Sequence, residues 1–192
     1  MLHSKNISGI ILSGGKSSRM GTDKASLKLY NSSFLERVIK VMTPFVDDIT
    51  IISDNPDHDI YNLKRLEDVI KESGPLGGLH TGLNHAKHND VLVLSCDIPL
   101  ISENIIETLI NQADFSADVN QIESNGKTMP LIALYKKSCY QTFYKFLMNE
   151  ERRVRVALKS LKTNAVKIDN TLDNHVQNIN TKEEFEALKT CK

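Results

Sequence analysis

The chain is poor in cysteine, and the few that it has exclude two common kinds of cysteine-built site. Its 192 residues include three cysteines, Cys96, Cys139 and Cys191, and no two of them form a C-x-x-C pair. A disulfide framework needs an even set of cysteines, and zinc sites of this kind need closely spaced pairs. We therefore predict neither a disulfide framework nor a zinc site.

Long apolar runs and a surplus of one charge are also absent. No stretch approaches the roughly 20 apolar residues that span a bilayer, and the run Ile7–Leu12 is too short for a secretion signal. The 24 basic and 24 acidic side chains leave a net charge of zero, so no broad cationic surface for nucleic acid is expected. We expect a cytoplasmic protein that binds neither membrane nor nucleic acid, and whose ligand is a small polyanion met by local cations.

The most informative segment is a glycine pair that directly follows an apolar run. Residues 12–24 read Leu-Ser-Gly-Gly-Lys-Ser-Ser-Arg-Met-Gly-Thr-Asp-Lys. Gly14 and Gly15 let the backbone approach a ligand without an intervening Cβ, and three cations can balance the charge of a triphosphate: Lys16, Arg19 and Lys24. The spacing fits neither a Walker A loop nor a G-x-G-x-x-G dinucleotide loop. A glycine turn used only for packing would leave the cations without a role, so we predict a nucleotide site at the end of a strand.

Short apolar runs alternate with helix-like stretches, which is typical of an α/β fold. Parallel strands are predicted at Ile7–Leu12, Asp48–Ile52, Arg65–Asp68 and Val91–Ser95. Helices are predicted at residues 33–42, 79–88, 102–112, 138–148 and 153–161, and capping boxes at Ser33–Glu36 and Thr181–Glu184 mark the first and the terminal helix. Residues Gly74–Gly78 precede a predicted helix and serve either as an anion-binding turn or as a purely structural one.

The pattern changes after Ala117. Two strand-like runs, Asp118–Glu123 and Met129–Tyr135, flank a Ser-Asn-Gly-Lys turn at 124–127, and a last strand is predicted at Ala165–Ile168. We expect a mostly parallel mixed sheet with an antiparallel element in the second half. In open α/β sheets ligands bind beyond the carboxyl ends of the strands, which is where the glycine loop, Asp68 and Asp97 would lie.

Asp97 is the candidate metal ligand. It follows the buried run Val91–Leu94, where an unpaired carboxylate costs several kcal/mol unless a cation compensates it. Mg²⁺ commonly takes one or two carboxylates together with phosphates and waters, although a helix cap or loop carboxylate is an alternative reading. Phosphoryl transfer needs positioned positive charge more than a protein nucleophile. We therefore predict catalytic roles for Arg19, Lys24 and Asp97, with Mg²⁺ on Asp97.

The segment that begins at Leu12 resembles the signature of the molybdenum cofactor guanylyltransferases, which are built like the sugar-nucleotide pyrophosphorylases. Further matches follow in that family's order: Glu67-Asp68, Gly74-Pro75-Leu76-Gly77-Gly78, Cys96-Asp97-Ile98-Pro99, Glu151-Arg152-Arg153-Val154 and Asn178-x-Asn180-Thr181. The resemblance implies a single three-layer, Rossmann-like nucleotidyltransferase domain over residues 1–192. Residues 1–100 would form its GTP-binding half and residues 101–192 its molybdopterin-binding half.

The resemblance also implies an activity and its partners. GMP would pass from GTP to Mo-molybdopterin, with Mg²⁺ present, to form the molybdopterin guanine dinucleotide and release pyrophosphate. Apo-molybdoenzymes or other cofactor-biosynthesis proteins would be further partners. Three alternatives stay open: a molybdopterin cytidylyltransferase, a sugar-phosphate nucleotidyltransferase of the same fold, and a non-catalytic carrier of molybdopterin or nucleotide.

Site residues follow from the resemblance. The nucleotide would be bound by Leu12, Ser13, Gly14, Gly15, Lys24, Ser53, Asp68 and Asp97. A carboxylate such as Asp68 can accept both N–H groups of the guanine edge, which cytosine cannot supply, although contact with the ribose or the metal is equally open. Ser53 stands where the family often has asparagine. Arg153, Asn178 and Asn180 would bind molybdopterin, so Asn180→Ala is expected to leave GTP affinity nearly unchanged, whereas a solvated charge run is the other reading of Arg153.

Overall fold

The computed structural model describes residues 6–14 and 24–190. Within them, seven strands form one sheet in the order β5-β4-β1-β6-β8-β7-β9, and two short strands form a separate hairpin, β2-β3. The strands are β1 (Ile7–Leu12), β2 (Lys28–Leu29), β3 (Ser32–Ser33), β4 (Asp48–Ile52), β5 (Lys64–Leu66), β6 (Asp90–Ser95), β7 (Val119–Ser124), β8 (Lys127–Lys136) and β9 (Thr163–Lys167). The helices are α1 (Phe34–Met42), α2 (Gly74–His85), α3 (Glu103–Asn111), α4 (Cys139–Met148), α5 (Val154–Leu158) and α6 (Lys182–Thr190).

The strand directions confirm the predicted mixed sheet. β5, β4, β1 and β6 pair in parallel, and β7 and β9 also pair in parallel. β8 is antiparallel to both of its neighbours, β6 and β7, so six strands run one way and β8 runs against them.

Side chains that alternate along the strands build one core on each face of the sheet. Ile11 and Leu94 belong to the cluster that packs against α1 and α3. Ile10 and Val93 belong to the cluster that packs against α2, α4 and α5. The result is the expected three-layer arrangement of helices, sheet and helices. No helix of the described chain is both long and apolar enough to cross a membrane.

Both predicted capping boxes are present. At the start of α1, Ser33 Oγ accepts from the Glu36 N–H at 3.1 Å, and the Ser33 N–H donates to Glu36 Oε2 at 3.3 Å. At the start of α6, Thr181 Oγ1 accepts from the Glu184 N–H at 3.2 Å, and the Thr181 N–H donates to Glu184 Oε2 at 3.1 Å. These reciprocal bonds satisfy N–H groups that the first helical turn leaves without partners.

Several element boundaries differ from the prediction. α2 begins at Gly74 rather than at residue 79, because Pro75 suits a first helical turn, where its missing N–H is not needed. Residues 74–78 are therefore the first turn of α2 and not a loop before it. β5 ends at Leu66, two residues before Asp68, and α5 covers five residues instead of nine. Four 3-10 segments were not predicted: Lys24–Ser26, Thr43–Phe45, Pro56–Tyr61 and Asn170–Val176.

The predicted turn between β7 and β8 is confirmed. Asn125 and Gly126 both have positive φ, 51° and 69°, as a two-residue type I′ hairpin requires.

The register between β7 and β8 shifts within the hairpin. Gln121 faces Ala133, whereas its neighbour Ile122 faces Met129. Residues 130–132 of β8 therefore bulge out of the ladder with β7.

Candidate active site

Four predicted site residues follow four neighbouring parallel strands, at the same edge of the sheet. Asp68, Ser53, Ser13 and Asp97 come after β5, β4, β1 and β6 respectively. Adjacent strands lie about 4.8 Å apart, so this row spans about 14 Å. The chain passes from β1 to β4 and β5 on one side and then returns to β6 on the other. The gap between the ends of β1 and β6 is thus the topological switch point at which α/β sheets bind ligands.

The end of β1 presents polar groups to this gap. The ladder continues past the strand, because the Cys96 N–H donates to the Leu12 carbonyl at 3.0 Å and the Ser13 N–H donates to the Ile52 carbonyl at 2.9 Å. Ser13 is buried, and its Oγ has no hydrogen-bond partner in the described part of the chain. A Cβ on Gly14 would meet no described atom within 4 Å, so the described part of the chain leaves the space beside it open. Gly15 and Arg19 lie outside the described residues.

Ser53 shapes the end of β4 from a buried position. Its N–H donates to the Leu66 carbonyl at 2.9 Å, and its Oγ accepts from the Asn55 N–H at 3.0 Å. Its carbonyl accepts from Arg65 Nη1 at 3.0 Å. The structure therefore brings Ser53 to the predicted edge, with its polar atoms engaged in the turn that follows β4.

Asp68 offers an acceptor that no described residue uses. Its carboxylate lies beside the first turn of α2, since a Cβ on Gly78 would be 3.5 Å from Oδ1 and a Cβ on Gly77 would be 3.7 Å from Oδ2. Oδ1 is buried and has no hydrogen-bond partner among the described residues. Burial, with a smaller contribution from the charge of Asp54, raises the pKa of Asp68 to about 6, and nearby Lys71 opposes the shift. An unsatisfied buried acceptor is costly in the free protein, and a ligand with N–H donors would satisfy it.

Asp97 is held through both its backbone and its side chain. The Asp97 carbonyl accepts from the Ile179 N–H at 2.8 Å, and Oδ1 accepts from Ser95 Oγ at 2.6 Å. Three or more histidine, cysteine or acidic side chains that could together hold a metal ion are not found in the described chain. One carboxylate is the donor set expected of a protein that receives Mg²⁺ together with substrate phosphates. Asp97 therefore fits that ion, whereas a permanently bound metal would need more ligands.

Lys24 and Asn180 come together although they were assigned to opposite ends of the site. Lys24 Nζ donates to Asn180 Oδ1 at 2.7 Å, and the Asn180 N–H donates to Glu184 Oε2 at 2.6 Å. The predicted nucleotide and molybdopterin residues thus meet at one point beside the end of β6.

A cavity of about 790 Å³ lies on the β8 side of the site, within the range of small-molecule sites. Its wall combines the end of β6, the bulged part of β8, the segment before α6 and α6 itself; it includes Ser95, Pro130, Arg155, Asn178, Glu184 and Leu188. Asn178 therefore faces a space large enough for a ligand, as its predicted role in molybdopterin binding requires.

The structure does not bring Arg153 to this cavity. Its guanidinium is 76% exposed and forms an ion pair with Glu151, in which Nε lies 2.8 Å from Oε1. Hydrogen bonds from Arg153 lower the pKa of Glu151 to about 2. Arg155, two positions on, lines the cavity instead and donates to the Thr128 carbonyl at 2.6 Å. Arg155 belongs to the same charged run in the sequence, from which Arg153 and not Arg155 was predicted as the site residue.

Both the sequence and the fold of this chain are similar to those of known proteins. Residues 9–165 match the model of the MobA-like NTP transferase domain. The chain is 35% identical to a protein of Clostridium perfringens named "Probable molybdenum cofactor guanylyltransferase", with 94% of this chain and 95% of that protein covered. A protein of the same name from Flavobacterium johnsoniae is 30% identical, with 96% and 97% covered. The fold resembles the crystal structure of molybdopterin-guanine dinucleotide biosynthesis protein A from Archaeoglobus fulgidus, with a TM-score of 0.81, 21% identity and coverage of 95% and 96%.

Proposed function

The chain belongs to the MobA-like NTP transferase domain family, and on that premise we propose that it transfers GMP from GTP to Mo-molybdopterin. The products are the molybdopterin guanine dinucleotide and pyrophosphate. The observation that carries the proposal is the pair of relatives of that name, which match over nearly the whole chain. The row of strand ends from Asp68 to Asp97 supports it, because that row can accept a base at one end and phosphates at the other.

The chemistry is a displacement at phosphorus. An oxygen of the terminal phosphate of Mo-molybdopterin forms a bond to the α-phosphorus of GTP. The bond from the α-phosphorus to the bridging oxygen of pyrophosphate breaks, and pyrophosphate leaves with the electron pair. The attacking phosphate already carries negative charge, so the protein need not supply a general base. Lys24, with Arg19 as the further assigned cation, would offset charge on the leaving pyrophosphate.

Asp97 would hold Mg²⁺ jointly with the phosphates of GTP. When bound there, the ion would neutralise phosphate charge and so favour attack by an anionic nucleophile. The protein's own contribution is to keep one carboxylate at the end of β6, next to both the gap beside Gly14 and the cavity.

Asp68 is the residue that we assign to guanine, because no described residue donates to its buried Oδ1 and guanine offers two N–H groups on one edge. Mo-molybdopterin would occupy the cavity beyond Asp97, with Asn178 in its wall. The three cysteines are scattered along the sequence and form no C-x-x-C pair, which agrees with action in a reducing compartment. Delivery to apo-molybdoenzymes stays a prediction.

The base assignment is tested by calorimetric titration of GTP, CTP, ATP and UTP with Mg²⁺ into the parent protein, Asp68→Asn and the exposed control Asp57→Asn. GTP should bind tightest to the parent and to Asp57→Asn, and Asp68→Asn should lose most of the preference for GTP. A preference for CTP would support the cytidylyltransferase alternative, and equal binding of all four would overturn the guanine assignment.

The metal assignment is tested by Asp97→Asn. Loss of the carboxylate should leave the fold intact and reduce pyrophosphate release by about 10²-fold or more, as expected when a preorganised electrostatic contact is lost. Circular dichroism checks the fold. Parent-like turnover at saturating Mg²⁺ would contradict this role for Asp97.

The carrier alternative is tested with the parent protein. GTP binding by the parent without any pyrophosphate release in the presence of Mo-molybdopterin would favour that alternative.

A further inference from the structure

Ser95 is a buried residue that no motif singled out. It is the last residue of β6, two positions before Asp97, and only 7% of it is exposed. Its Oγ donates to Asp97 Oδ1 at 2.6 Å. That length is typical of a charge-assisted hydrogen bond from a hydroxyl to a carboxylate, which is roughly twice as strong as a neutral one.

The backbone around Asp97 is fixed on both sides. On one side, Ser95 pairs with Leu12 in the sheet, and the Cys96 N–H donates to the Leu12 carbonyl. On the other, the Asp97 carbonyl accepts from the Ile179 N–H. What the backbone leaves undetermined is the rotation of the carboxylate itself. In the described part of the chain, Ser95 is the side chain that bonds this carboxylate.

We propose that Ser95 is a positioning residue for the divalent cation: its hydroxyl engages Asp97 Oδ1 and leaves Oδ2 as the oxygen that binds the metal accompanying GTP. The inference rests on the proposed function, in which Asp97 is the metal ligand. A group that orients a metal ligand by a hydrogen bond typically contributes about 10- to 100-fold to metal affinity. Without the hydroxyl, the carboxylate would have to be ordered when the metal binds, and the affinity would fall accordingly.

A matched serine elsewhere in the chain separates this role from simple packing. Ser8 is 1% exposed and donates to Asp48 Oδ1 at 2.9 Å. Like Ser95 it is a buried strand serine bonded to a carboxylate, but it lies near the start of β1, at the opposite edge of the sheet. Ser8 also accepts from the backbone N–H groups of Lys87 and His88, so its loss should affect stability and not metal binding.

The experiment compares the affinity for GTP in the presence of Mn²⁺ with the affinity in the presence of EDTA. The ratio of the two affinities measures how strongly the protein uses the metal, and it does not require turnover. The proteins are the parent, Ser95→Ala, Ser95→Thr, Ser8→Ala and Asp97→Asn, and thermal unfolding records the stability of each.

We expect the ratio to fall about 10-fold or more in Ser95→Ala, with unchanged affinity for metal-free GTP. Ser95→Thr, which keeps the hydroxyl, should retain the parent ratio. Ser8→Ala should melt at a lower temperature and should also retain the parent ratio of affinities. If Ser95→Ala does not fold, Ser95→Cys replaces it, because a thiol is of similar size and only a weak donor.

Two results would contradict the inference in different ways. A parent-like ratio in Ser95→Ala, together with loss of the ratio in Asp97→Asn, would overturn the role of Ser95 and leave Asp97 as the metal ligand. A parent-like ratio in Asp97→Asn would overturn the metal assignment of the proposed function, and the inference from Ser95 with it.

Discussion

Lys24 and Asn180 are 156 positions apart in the chain, yet Lys24 Nζ donates to Asn180 Oδ1 at 2.7 Å. An amide oxygen can hold a lysine ammonium in place without neutralising it, so the cation keeps its full charge for a phosphate. This contact changes what we expect of Asn180. From the sequence it belonged to molybdopterin alone, whereas the structure makes it a partner of a residue assigned to GTP.

A double-mutant cycle on this pair gives the first prediction. Lys24→Ala should weaken GTP binding by about 1–3 kcal/mol through loss of a charge-assisted phosphate contact. Asn180→Ala should also weaken it, because Lys24 loses the acceptor that orients it. The double variant should then show a coupling of about 0.5–3 kcal/mol, measured by titration of GTP.

Asn178→Ala is the matched control for this cycle, since Asn178 lines the cavity. It should reduce binding of molybdopterin and leave the affinity for GTP unchanged. Strictly additive effects of Lys24→Ala and Asn180→Ala on GTP affinity would show that the hydrogen bond between them has no part in nucleotide binding.

Asp68 gives a prediction about stability. Its pKa is raised to about 6 in the folded protein, mainly by burial, and is about 3.9 in an unfolded chain. Between these values the folded state keeps the proton that the unfolded state has lost. The free energy of unfolding contributed by Asp68 therefore falls as the pH rises from about 4 to about 6, and it stays low above that.

Asp68→Asn is neutral at every pH and avoids this loss. The variant should be more stable than the parent at pH 7, and the difference should shrink as the pH is lowered to 4. Urea unfolding at both pH values measures it, with the exposed Asp57→Asn as control. A less stable Asp68→Asn at pH 7 would mean that the carboxylate has a favourable partner in the free protein, and the argument that it awaits a ligand would fail.

At the scale of the elements, α2 packs closely against β1. A Cβ on Gly82 would lie 2.6 Å from Ile10 Cδ1 and 2.9 Å from Ile10 Cγ2. Glycine in a helix is ordinarily less favourable than alanine by about 1 kcal/mol. Here the close approach of helix and strand reverses that preference, because no side chain fits between them.

Gly82→Ala should therefore destabilise the protein, by about 1–3 kcal/mol as in other overpacked cores, despite the better helix propensity of alanine. Urea unfolding measures the change. Adding Ile10→Val, which removes Cδ1, should recover part of the loss, so the two substitutions should be less than additive. A Gly82→Ala variant more stable than the parent would show that α2 can move away from β1 at little cost.

The same helix shows how far local patterns predict elements. β1 and β4 were predicted to the residue, because most of their side chains are apolar or β-branched and both strands are buried on both faces. The start of α2 was placed five residues late, because the glycines at 77 and 78 indicate a loop when read locally. Glycine stands at both positions because a Cβ would lie 2.7 Å from Ser73 at residue 77 and 3.0 Å from Leu12 at residue 78. That constraint comes from tertiary packing, which the local pattern does not contain.

At the scale of the whole molecule, the last helix, α6, and the segment before it contact elements from the first half of the sequence. Phe185 of α6 packs edge-on against Phe34 at a ring distance of 5.6 Å. The segment before α6 bonds Asp97 through Ile179 and Lys24 through Asn180. Ser13, Ser53 and Asp97 could be located from sequence because each follows an apolar run, whereas Asp68 follows the largely polar strand β5 and was assigned from the resemblance. The closing of the site by residues 174–180 could not be predicted, because contacts over such separations leave no periodic signal.

The bond from Ile179 to Asp97 brings the predicted molybdopterin half against the predicted nucleotide half, and in the proposed reaction the two phosphates would meet there. The most direct test offers the protein equal concentrations of GTP and CTP with Mg²⁺ and Mo-molybdopterin, and identifies the dinucleotide product by mass spectrometry. We predict the guanine dinucleotide in large excess, formed in step with pyrophosphate. A cytosine dinucleotide as the main product, or no dinucleotide at all, would contradict the account.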